Sequence, residues 1–136
     1  MSWMLIAAAF GAGTVSSFTD WLFMGVLFHD AYNTYPEIWW PGIRDGKDRG
    51  AVIWSSIIGY IMSAAIVALC ALAGAASIVT GLEIAALACA AGPLTILVIN
   101  GLFIKFDPKI TFAHCLGWLA RMALAGGAAG YVLSLS

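Results

Sequence analysis

The sequence predicts an all-α integral membrane protein, a bundle of four transmembrane helices in one domain spanning residues 1–136, and three observations carry that prediction. Only 10% of the 136 residues are charged and 62% are hydrophobic, giving a mean hydropathy of +0.97; soluble domains carry about 25% charged residues. Four long apolar segments follow one another, each near the ~20 residues that a spanning helix requires. The charged residues gather mainly at the breaks between these segments. The alternation of polar and apolar residues that marks a β-barrel is absent.

The first segment covers residues 3–28 and is interrupted only by Asp20. No Lys or Arg precedes its apolar run, which continues past Ala9, so it reads as a retained helix and not as a secretory signal. Residues 29–50, HDAYNTYPEIWWPGIRDGKDRG, form the one substantial loop. Pro36 and Pro41 prevent a continuous helix there. Tyr32, Tyr35, Trp39 and Trp40 suit a membrane interface, so the loop is expected to lie on the membrane surface. The second segment, 51–76, carries no charge, and the third, 82–106, opens at Glu83 and contains Gly92-Pro93. Pro93 lacks a backbone donor, which predicts a kink of the kind that packed membrane helices tolerate. After KFDPK the fourth segment, 110–135, includes His114 and Arg121.

Charge sets the expected orientation. Arg44, Lys47 and Arg49 lie between the first two segments, Lys105 and Lys109 between the last two, and residues 77–81 contain no basic residue. Five of the six basic residues therefore fall on one side. The positive-inside rule places the 29–50 loop in the cytoplasm and both termini outside it, as in a multi-pass protein of a bacterial inner membrane. Small residues at four-residue spacing, Ser55, Gly59 and Ser63 in one segment and Gly126 and Gly130 in another, are expected helix-packing faces, within one chain or between protomers.

Ionisable groups inside a bilayer cost ~2.5–3.5 kcal/mol each at a helix centre and are functional candidates for that reason. Asp20 lies ~12 Å and Arg121 ~16 Å from the loop-side ends of their segments, at 1.5 Å per residue. Their comparable depths predict an intramembrane ion pair that fixes register, with a proton or ion relay as the alternative. Ser16, Ser17, Thr19, Asn100 and His114 collect in the same half. They either hydrogen-bond across helices or line a water-filled cavity. His29 and His114 end one segment and open another on the same side, and are the residues that a metal or haem would use. Neither the His-x-x-x-His nor the Glu-x-x-His spacing is present, so no cofactor is expected. Cys70, Cys89 and Cys115 are odd in number and lie in apolar sequence, which reads as small packed residues and not as a disulfide framework. The basic residues form no patch for nucleic acid, and no nucleophile elbow, P-loop or dinucleotide-binding glycine pattern occurs.

Two stretches, DWLFMGVLFHDAYNTYPEIWW and GPLTILVINGLFIKFDPKITFAHCLGWLARMAL, resemble the small four-span bacterial inner-membrane proteins grouped as a family of unknown function. Gly25, His29, Asn100-Gly101-Leu102-Phe103 and His114 to Trp118 are the distinctive positions. The resemblance implies the four-span architecture and brings no reaction or catalytic residue with it. The membrane-associated glutathione-dependent enzymes have a similar length, but their charged second-helix signature is missing, since 51–81 carries no charge. The expected function is that of a structural or accessory protein in contact with membrane lipid, packing with itself or with a larger membrane complex. The alternatives are a small transporter or channel whose path uses Asp20, Asn100, His114 and Arg121, and a haem- or metal-binding subunit.

Overall fold

The computed structural model describes residues 2–135, and among these it is helical with no strand. Helix α1 (Trp3–Asp20) runs on into a π-helical stretch, Trp21–Leu27. Helices α2 (Arg49–Leu72), α3 (Ile78–Phe103) and α4 (Pro108–Leu133) follow, and these three are long and apolar enough to cross a membrane. Helix α1 is not one of the three; Thr14, Ser16, Ser17, Thr19 and Asp20 dilute its apolar character. Between α1 and α2 the chain forms short turns of helix at His29–Asn33, Pro36–Ile38 and Pro41–Arg44.

The helix limits differ from the hydropathy limits, and local chemistry explains each difference. Helix α2 stops at Leu72, not at residue 76, because Gly74 adopts a φ of +69°. Its N–H donates to the Ala71 carbonyl and that of Ala75 to the Cys70 carbonyl, which is a Schellman ending. Helix α3 starts four residues ahead of its apolar run. Ser77 caps it, accepting from the Thr80 N–H at 3.1 Å while Thr80 Oγ1 accepts from the Ser77 N–H at 3.0 Å, a capping box built with threonine. The irregularity at Pro93 takes the form of a π-helical turn, Ala90–Leu94. Pro108 opens α4, where its missing N–H costs nothing, and the Asp107 carboxylate accepts from the Lys109 N–H at 2.9 Å.

The packing is the inverse of a soluble core. The largest fully buried side chains are only Val67, Cys70, Cys89, Ser16 and Ser63, while Trp3, Phe10, Ile61, Leu72, Leu87 and Phe103 are exposed. Small residues inside and large apolar residues outside is the arrangement expected where lipid is the solvent and helices associate by close contact. Helix α4 is the hub and touches α1, α2 and α3. Its Gly126 and Gly130 face the start of α3 within the same chain. A Cβ on Gly81 would lie 2.2 Å from the Gly126 carbonyl oxygen, and one on Gly130 would lie 2.2 Å from that of Ser77. Between α1 and α2, Tyr60 lies across Gly13, stacks on Phe10 with ring centroids 5.1 Å apart and shares a 3.0 Å hydrogen bond with Thr14.

The loop-side half is more open. No residue is buried in Trp21–Leu27 or in Thr95–Phe103, and α2 is exposed from Arg49 to Ile58 apart from half-buried Ser56. Ser55 falls in this open part. Of Ser55, Gly59 and Ser63, Gly59 and Ser63 are buried, whereas Ser55 is exposed and its hydroxyl donates to the Val52 carbonyl of its own helix.

Candidate functional site

Two polar centres lie on the loop side of the bundle. The first joins α1 and α4: Arg121 donates from Nη2 to Asp20 Oδ2. The arginine side chain is 9% exposed and the aspartate 24%, so the pair is largely withdrawn from its surroundings and depends on mutual neutralisation. Two glycines make room for it. A Cβ on Gly59 of α2 would sit 2.6 Å from Arg121 Nη1 and 2.9 Å from its Cζ, and one on Gly117 of α4 would sit 3.1 Å from Asp20 Oδ1. The Trp118 ring lies 5.7 Å from the guanidinium carbon, within cation–π range. Gly59 is thus more than a packing glycine, because its bare Cα lets α2 close over the guanidinium.

The hydroxyl groups near Asp20 do not bridge helices. Ser16 and Ser17 both donate to the Gly13 carbonyl and Thr19 to that of Ser16, all within α1. Ser63 likewise donates to Gly59 of its own helix. A hydroxyl bond between helices occurs instead at Thr14–Tyr60. In an α-helix the carbonyls three and four residues back lie within reach of a Ser or Thr side chain, and those local bonds win here.

The second centre lies where the 29–50 loop folds over the ends of α3 and α4. Tyr32 shares a 3.0 Å hydrogen bond with His114 Nε2, and Trp39 Nε1 donates to the Tyr32 carbonyl at 2.9 Å. The Trp39 ring stacks on Phe106 with centroids 6.4 Å apart. Farther out, Thr34 donates to Asp107 Oδ2, and Lys105 pairs with Glu37, each at 2.9 Å, with the Lys105 ammonium 4.4 Å from the Tyr35 ring centre. Burial pushes the Tyr32 phenol up to about 12, so it bonds to His114 as a neutral group. The hydrogen bond from Lys105 holds Glu37 below its usual value and the same bond raises Lys105, while the Lys109 N–H and then Thr34 lower Asp107. Part of the loop is thus strapped to the bundle; Trp40, 82% exposed, and His29, also exposed, are outside that strap.

Beneath Trp39 is a cavity of about 150 Å³ lined by Trp39, Leu97, Asn100, Phe106, Ile110, Thr111 and His114. Asn100 and His114 meet there, whereas Asp20 and Arg121 are not part of its lining. The four residues of the expected polar path therefore divide into two centres. The imidazole Nε2 of His114 is engaged by Tyr32, and no group of three or more His, Cys, Asp or Glu residues able to hold a metal occurs among the described residues. Sequence reasoning missed Gly117, Thr111 and Phe106, whose roles arise from neighbours on other elements. Comparison of the chain with models of known protein families, with curated proteins and with solved structures finds no match.

Proposed function

We propose that this chain is a multi-pass protein of a bacterial inner membrane in which α1 crosses the bilayer beside α2, α3 and α4, with both termini outside the cytoplasm. Its role is structural or accessory: it packs with copies of itself or with a larger membrane complex. The observation that supports this reading over a transport role is the division of the polar residues. Asp20 and Arg121 neutralise each other in a slot made by glycines, and the cavity that holds Asn100 and His114 includes neither of them. A conducting path needs continuous polar groups through the bilayer.

The test is flux in reconstituted vesicles. The wild type is expected to be as tight to protons and ions as protein-free vesicles, and the double variant Asn100→Leu/His114→Phe is expected to fold in normal amount. Flux that disappears in that variant would establish a transporter instead. Orientation is tested separately. A cysteine placed at Lys47 is expected to react in intact cells only with permeant reagents, and a reporter fused after residue 136 to be active only if it works outside the cytoplasm. The opposite pattern in both assays would reverse the topology.

A further inference from the structure

The geometry points to the cavity beneath Trp39 as a binding site for a small, neutral, single-ring molecule that carries one hydrogen-bonding group, of the chemical class of a phenol. Size is the first argument. About 150 Å³ is the volume at which an apolar cavity admits a benzene-sized guest, and it is well below the ~300–1,000 Å³ of drug-sized sites.

The lining is the second argument. Trp39, Phe106, Leu97 and Ile110 supply aromatic and aliphatic walls, while Asn100, Thr111 and His114 supply the polar positions. His114 is already bonded to Tyr32. The side chains of Asn100, which is exposed, and Thr111, which is half-buried, have no hydrogen-bond partner among the described residues. Both residues line the cavity, and each side chain offers both a donor and an acceptor. A hydroxyl on a ring-sized guest would meet a ready partner in either.

Charge is the third argument. No lining residue is Asp, Glu, Lys or Arg. The nearby Lys105 is tied to Glu37, and Asp107 accepts from Thr34 and from the Lys109 N–H. An anionic or cationic guest would enter this cavity without a counter-charge, at a desolvation cost that a neutral one avoids. Trp39 belongs to the strapped loop, held by one indole hydrogen bond and by ring contacts with Tyr32 and Phe106.

The test uses 4-fluorophenol observed by fluorine NMR, with the full chain in lipid nanodiscs and empty discs as the reference for partition into lipid. The expected result is a saturable bound signal absent from empty discs, with affinity falling about threefold to tenfold in Asn100→Leu or in Thr111→Val, as loss of one hydrogen bond implies. Thr111→Val keeps the side-chain shape, so it reports even if Asn100→Leu folds poorly. Fluorobenzene is expected to bind more weakly than 4-fluorophenol and to be indifferent to both substitutions. A signal equal to that of empty discs, or binding unchanged in both variants, would overturn the assignment.

Discussion

Replacing Arg121 by leucine alone is expected to lower stability by about 3–5 kcal/mol, because it leaves the Asp20 carboxylate without its counter-charge in a site withdrawn from water. Asp20→Asn strands the guanidinium and should fall in the same range. The double variant Asp20→Asn/Arg121→Leu should recover much of the loss, since a neutral pair removes the desolvation cost of both ions together with their attraction. Unfolding by denaturing detergent, read as a double-mutant cycle, measures the coupling. Additive losses would mean that the two groups act independently. Gly59→Ala is a milder probe of the same slot: its Cβ meets the far end of the flexible Arg121 side chain, which can shift.

Gly81→Ala should be at least as damaging as overpacking usually is, at or above the upper end of ~1–3 kcal/mol. The added carbon lies 2.2 Å from the Gly126 carbonyl oxygen, a backbone atom that cannot move unless α3 and α4 separate. Gly11→Ala is the control. Nothing lies within 4 Å of a Cβ there, so the substitution should be neutral, or stabilising by up to ~1 kcal/mol through helix propensity. Equal effects of the two substitutions would show that α3 and α4 are not held in backbone contact.

These two expectations also mark how far the sequence could be read. Apolar runs reveal helices because each spanning segment must satisfy its own backbone, whatever its neighbours are. Asp20 and Arg121 stood out because isolated charges in such runs are rare, and their depths could be compared by counting residues from the loop. Glycine roles are less legible. Gly126 and Gly130 share a spacing that suggests close packing, and Ser77, Gly81, Ala85 and Cys89 share one too, but in so Ala-rich a sequence that spacing does not single out Gly81. It matters because it sits opposite Gly126, and that register depends on how two helices meet. Gly59 looked like a packing position, and its neighbour proves to be a guanidinium 62 residues away in sequence. The helix limits at Gly74 and Ser77 were written as a glycine ending and a Ser-x-x-Thr start. Continuous hydropathy masked both. The strap of the loop could not be read, because Tyr32 and His114 are 82 residues apart and nothing local in HDAYN selects a partner on α4.

The ion pair carries a further consequence for how the chain is made. Asp20 precedes Arg121 by 101 residues, and at ~5–20 residues per second the ribosome takes about 5–20 s to supply the arginine. Throughout that interval a carboxylate in α1 has no counter-charge, and the Gly59 slot has no side chain to close over. If α1 crosses the bilayer as proposed, it is expected to reach its final seat only after α4 has been synthesised. On that reading assembly is expected to be completed by the last helix to emerge, and a nascent chain halted before Arg121 to present the insertion machinery with an unpaired acid.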